Sequence, residues 1–371
     1  MPRTPPAERR IEPGPALTER LSASLITDDG PIPLDARRSV LDVLGVAIVV
    51  IADGALVVEL SSGATTQGRP MTADTVVQVG SVSKPIAAVT VATSVADGTL
   101  AWNDPVPAEH VDGGPADPPP TVGALLSHTA GTTVDGFLGY ADAASAPTAA
   151  DVLAGRGDTP PVVVERPAGG FRYSGGGSVL AAEHATAAAG EPSFDALARS
   201  QVFEPLGMSS SAFSIDPPDA LLDRVSGGAL GTEPLANGWQ RHPEHAAAGL
   251  WTTAADLGRF LAGFAAGLRG ETDAVLPRRI AAEMVSPVAP LAPGELGPHV
   301  ASVGRGWFLD RIDAPTVYRH GGRNIGYTAA VAGTTDGRFG VAVVTNSFPG
   351  GTTLADDVIT TTIAQTQEWS T

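Results

Sequence analysis

The sequence predicts an α/β fold of the α+β kind. An antiparallel sheet is built from both chain ends and flanked by helices, with a mostly helical subdomain inserted between them. Three observations predict it. Strand-like apolar runs lie at 44–51 and 55–60, and strand patterns return after Gly304. From about Trp102 to Pro243 the pattern changes to short helical segments separated by Pro- and Gly-rich loops, with 115–120 the clearest punctuation. A helix-compatible stretch at 356–367 then closes the chain, placed to pack on that sheet. The expected organisation is a disordered lead over 1–15, an α/β subdomain over 16–101 and 244–371, and the helical subdomain over 102–243.

In order, a helix is expected near 16–25, followed by a hairpin turning at Asp53-Gly54. A short strand at 75–79 leads into an apolar helix that runs to about Val95 and stops at Gly98. The insertion carries helix patterns at 122–127, 149–155, 178–189 and 194–203. Strands follow at 306–309, 317–320, 327–332 and 339–345, with a hairpin turn at 334–337. No internal repeat or low-complexity tract interrupts this plan.

Composition limits what the chain can do. At 371 residues, 43% hydrophobic and 17% charged, it can bury a sizeable core. A net charge of −17 with no basic cluster argues against nucleic acid and anionic membranes as partners. With no cysteine there is no disulfide framework, thiolate chemistry or cysteine-based metal site. The first 15 residues hold no apolar signal region, and the longest apolar candidate, 43–60, is broken by Asp53-Gly54. The expectation is a cytoplasmic enzyme acting on a small molecule, with no cofactor.

The chemistry centres on Ser81 and Lys84. They are three residues apart at the head of the apolar helix, where side chains i and i+3 meet and free backbone N–H groups gather. A serine hydroxyl needs a neighbouring base, and burial can lower an amine from its usual pKa of about 10.4 towards the working pH. Lys84 is the one lysine in the chain, among 23 lysines and arginines. Arginine cannot serve as that base, so a lone lysine points to proton chemistry more than to a chance surface cation.

Tyr173, ahead of the glycine run Gly175-Gly176-Gly177, either relays a proton into a cleft or packs beneath a glycine loop. His320-Gly321-Gly322-Arg323 ends an expected strand. Its two glycines would admit substrate to the strand edge, and the next N–H would serve an oxyanion; alone, the motif reads as a plain turn. His242-Pro243-Glu244-His245 suggests metal ligands, but Pro243 breaks the helix that would align them and no third histidine is near. Ser127-His128 reads as structural, because adjacent residues do not face each other. G-x-S-x-G, a Walker loop and a strand-linked G-x-G-x-x-G are absent.

Taken together, Gly80-Ser81-Val82-Ser83-Lys84, Phe171-Arg172-Tyr173-Ser174-Gly175-Gly176-Gly177 and His320-Gly321-Gly322 resemble the serine β-lactamase and penicillin-binding-protein superfamily. More narrowly, they are similar to its class C-related, esterase-like hydrolases. Leu125-Leu126-Ser127-His128-Thr129-Ala130-Gly131, Pro205-Leu206-Gly207-Met208 and the segment from Ala248 to Leu257 support the resemblance, which spans about residues 40–350. It implies a β-lactamase/DD-peptidase-like fold, with Ser81 acylated and Lys84 accepting its proton, alone or shared with Tyr173. The N–H groups of Ser81 and Arg323 would form the oxyanion hole.

Two positions depart from the family pattern. Gly175 stands where many members carry the Asn of Tyr-x-Asn, and His-Gly-Gly replaces Lys-Thr-Gly. The first removes an amide contact to substrate. The second removes a lysine suited to a substrate carboxylate, a charge that Arg323 would have to supply. His320, Gly321, Gly322, Arg323 and Gly175 are thus the expected substrate-binding positions. The expected function is an esterase or amidase taking an acyl ester, amide or thioester. The alternatives are an acyltransferase or peptide cyclase using the same acyl-enzyme, and a non-catalytic binding protein on the same fold.

Overall fold

The structure, a computed structural model, describes residues 14–166, 168–310 and 316–368. Eight strands form the main sheet: β1 (Gly45–Ala52), β2 (Ala55–Gly63), β3 (Ala289–Pro290), β4 (Val300–Val303), β5 (Phe308–Asp310), β6 (Val317–Asn324), β7 (Tyr327–Thr334) and β8 (Phe339–Thr345). Their order is β3-β4-β5-β6-β7-β8-β1-β2, so the two chain ends meet where β8 pairs antiparallel with β1. The β1–β2 hairpin turns at Asp53 and Gly54, both at positive φ (48° and 85°), as a tight two-residue turn requires.

Strand β1 is buried at every position because helices cover both faces of the sheet. Ala47, Val49 and Ile51 pack with the apolar stripe of α5 (Ala254–Arg269). Val46, Ile48 and Val50 pack with Leu17 and Leu21 of α1 (Gly14–Ala23) and with Leu354 and Val358 of α6 (Gly350–Glu368). Three further helices position the site: α2 (Ser83–Ala96), α3 (Gly175–Ala189) and the single turn α4 (His245–Ala248). Short helices Val122–Leu126, Ala149–Leu153 and Phe194–Ala198 lie close to their expected places.

Several expectations are corrected. The strand at 75–79 shrinks to Val77–Gln78, which leaves the main sheet and pairs with Leu250–Thr252. Strand β6 does not end at His320 but runs through Gly321, Gly322 and Arg323 to Asn324, held by β7 in the register Gly321↔Ala330 and Gly322↔Ala329. The 286–303 stretch, where no strand was expected, contributes β3 and β4. Helix α5 is not among the expected elements, though Leu257, Phe260, Leu261, Phe264 and Leu268 repeat at helical spacing between the Thr253 cap and Gly270. Helix α6 starts six residues before 356. The expected disordered lead lies outside the described residues except for Gly14 and Pro15, which open α1.

Candidate active site

Ser81 sits in a 3-10 turn, Gly80–Val82, that runs directly into α2. Lys84 is the second residue of that helix, so its amine folds back over the turn and reaches Ser81 Oγ at 3.0 Å. The lysine is 4% exposed, and its Nζ also donates to the Ala247 carbonyl of α4 at 2.8 Å. Ser83 pins the turn from behind. Its hydroxyl donates to the Gly80 carbonyl at 2.7 Å and accepts from Leu250 N at 3.1 Å.

The turn lies backbone against backbone on β6. A Cβ on Gly322 would fall 2.0 Å from the Val79 oxygen and 2.8 Å from Ser81 N. One on Gly80, where φ is +51°, would fall 2.5 Å from Arg323 N. No side chain fits at either glycine, and their absence brings the N–H groups of Ser81 and Arg323 to one seam. Gly322 faces the nucleophile turn. By strand alternation the Arg323 side chain therefore leaves from the opposite face, where its charge acts on Asp356 of α6. The carboxylate-holding role expected of that guanidinium does not fit this orientation; its backbone nitrogen lies against the turn that carries Ser81.

Tyr173 places its ring centroid 5.0 Å from Lys84 Nζ. Its hydroxyl makes no hydrogen bond to Ser81 or Lys84 among the described contacts. It is framed by two buried histidines, His128 at 4.5 Å and His320 at 6.4 Å between ring centroids. His128 Nδ1 accepts from Ser174 N at 3.2 Å, and His320 Nδ1 donates to the Gly321 carbonyl at 2.7 Å. Burial first, then the Lys84 charge, holds both below the usual imidazole range, with His320 lowered to about 3. Both rings are therefore neutral near pH 7, and His320 Nε2 is buried with no partner among the described residues.

The remaining expected positions separate clearly. Gly321 is exposed, with open space where its Cβ would stand. Gly175 opens α3 against Phe137 and Ala247. Ser127 is occupied by bonds to the Gly123 carbonyl and Thr129, while His128 turns the other way towards Tyr173. His242 and Glu244 form a buried pair at 2.7 Å, and no three His, Cys, Asp or Glu side chains gather as a metal cluster among the described residues.

Three contributors escape sequence reasoning. The Ala247 carbonyl and Phe137 leave no pattern to read. The Gln78–Asn324 bond (2.9 Å), which with Asn324–Ala248 ties β6 to α4, joins residues 246 positions apart.

A family model described as Beta-lactamase matches residues 35–364. The chain belongs to the beta-lactamase family. Its β-lactamase/DD-peptidase fold is shared with the D-amino acid amidase of Ochrobactrum anthropi SV3 complexed with L-phenylalanine. That match has a TM-score of 0.69 and 21% identity, covering 90% of this chain and 98% of the amidase. The octameric penicillin-binding protein homologue of Pyrococcus abyssi follows, with a TM-score of 0.68 and 21% identity over 86% of this chain and 73% of that one. SurE with D-Leu has a TM-score of 0.67 and 26% identity over 88% of this chain and 72% of its own. No curated protein matches the chain. Among the described residues of this beta-lactamase-family protein, no helix is long and apolar enough to cross a membrane.

Proposed function

We propose that this protein is a serine hydrolase of amidase or esterase type working through an acyl-enzyme on Ser81. The observation that carries the reading is the 3.0 Å contact between Ser81 Oγ and the Nζ of the buried Lys84. Lys84 takes the hydroxyl proton as Oγ attacks the carbonyl carbon. The developing oxyanion is met by the N–H groups of Ser81 and Arg323. Lys84, with Tyr173 beside it, returns the proton to the leaving amine or alcohol as that bond breaks. Water then gives up a proton to the same base and releases the acid. The fold likeness to an amidase and the D-Leu held by SurE support amides or esters of amino-acid type as substrates.

A second reading uses the same acyl-enzyme: an amine replaces water, and the acyl group is transferred or a peptide is cyclised. Intact-mass spectrometry after exposure to a fluorophosphonate, and separately to a p-nitrophenyl acyl ester, tests the shared core. One adduct is expected on the wild type, none on Ser81→Ala, and labelling slowed at least a hundredfold in Lys84→Arg. A competing amine added to the ester reaction then divides hydrolysis from transfer by product ratio. Failure of the wild type to label under any condition would remove the enzyme reading and leave a binding protein.

A further inference from the structure

The segment 133–138 is stitched to the glycine run that follows Tyr173. Ser174 Oγ donates to the Thr133 carbonyl at 2.7 Å, Gly176 N to Val134 O at 3.0 Å, and Gly175 N to Asp135 O at 3.2 Å. Val134 is held at φ +61°, a left-handed conformation that a β-branched residue rarely adopts. Such strain persists only where surrounding contacts fix it, and here they fix the course of the next three residues.

That course brings Phe137 over Gly175. A Cβ on Gly175 would meet Phe137 Cε2 at 2.9 Å and the Ala247 methyl at 3.5 Å. Gly175 lies two residues beyond Tyr173, and Ala247 carries the carbonyl that holds Lys84. The ring therefore lies beside the two segments that carry Tyr173 and hold Lys84. It is only half-buried, lies outside the apolar clusters that form the core, and is followed by Leu138 at 72% exposure. A ring fixed in place without being used by the core is available to a ligand.

We propose that Phe137 is the specificity-determining residue of this site. It walls the acyl side of the cleft so that the group next to the scissile carbonyl is a flat or branched apolar one, not an amide-bearing one. The physical basis is substitution of contact type. Gly175 offers no side-chain hydrogen bond, and the space a side chain would take there is occupied by the Phe137 ring carbon Cε2 and the Asp135 carbonyl; an aromatic ring packs against apolar groups. This inference rests on the acyl-enzyme reading, and its test is built to fail separately.

The measurement is kcat/KM for p-nitrophenyl phenylacetate divided by kcat/KM for p-nitrophenyl acetate, in the wild type, Phe137→Ala, Phe137→Leu and Gly175→Ala. Fluorophosphonate labelling of Ser81 is counted in each preparation. Phe137→Ala should lower the ratio at least tenfold, chiefly through KM for the phenylacetyl ester, while Phe137→Leu recovers part of it. Gly175→Ala pushes a methyl against the ring and should shift the ratio in the same direction. The double variant with Phe137→Ala should add little. Equal losses on both esters, or an unchanged ratio in protein that labels fully, would overturn the proposal while leaving Ser81 chemistry intact. Loss of labelling in the wild type would instead overturn the reading beneath it.

Discussion

Gly322 shows how much of this site is made by what a residue lacks. Its Cα packs against the turn that carries Ser81, so Gly322→Ala must part the turn from β6 or distort both. Overpacking of this kind costs roughly 1–3 kcal/mol. It would also separate the two N–H groups expected to face the oxyanion, and Ser81 labelling should fall at least a hundredfold. Gly321→Ala is the control for stability, because its Cβ meets nothing within 4 Å. A melting temperature lowered in the first variant alone, with labelling lost, is the expected result; equal melting temperatures would refute the packing argument. The glycine pair was legible as a place of close approach, but from sequence the approaching partner is a substrate. That the nucleophile's own backbone fills the Gly322 side follows from pairing Gly80 with Gly322, residues 242 apart, which no local pattern encodes. Lys84 was legible for the opposite reason: its chemistry depends on residue type and an i, i+3 spacing, both local.

Helix α3 carries the same lesson for a whole element. Its first three residues are glycines, so local propensity delays the expected start to residue 178, whereas the helix begins at Gly175. Packing overrides propensity there, since a Cβ on Gly177 would meet Thr132 Oγ1 at 2.8 Å. Ser174 makes the early start possible. Its hydroxyl oxygen accepts from Gly177 N at 2.9 Å as the N-cap and donates to the Thr133 carbonyl, holding the helix and the 133–138 segment together. Ser174→Ala removes both bonds, and we expect about 1–2 kcal/mol of destabilisation in denaturant unfolding. The loosened start would also shift Tyr173, so ester turnover should fall more than the loss of folded protein explains. An unchanged midpoint would mean that the cap contributes nothing. Strand β6 was shortened in expectation for a related reason. Two glycines weaken a strand read alone, and only the register with β7 supplies the bonds that carry it on to Asn324.

For the molecule as a whole, the two-faced sheet core was legible because strands buried on both sides read as unbroken apolar runs, such as 46–52. Its response to pH was not legible, because it depends on where the histidines fall. His128 and His320 are buried and His245 is half-buried, and desolvation is the first cause that lowers each below 6.5. Each is neutral when folded and binds a proton when the chain unfolds below about pH 6.5, so acid favours the unfolded state. Buried carboxyls act the other way. Burial raises Asp310 above 3.8, so its contribution is present at low pH and lost as pH climbs through that raised value. The two effects overlap below pH 6.5, and the total curve cannot apportion them. Subtracting the curve of His320→Gln from that of the wild type isolates one histidine. The difference should be flat above pH 7. As pH falls from about 6.5 towards about 3, the wild type should lose stability relative to the variant by about 1.4 kcal/mol per pH unit. Urea midpoints at four pH values between 7.5 and 4.5 measure it. A flat difference across that range would mean that folded His320 takes up its proton near the ordinary imidazole pKa. The ring beside Tyr173 would then be a cation at mildly acid pH, close to Lys84.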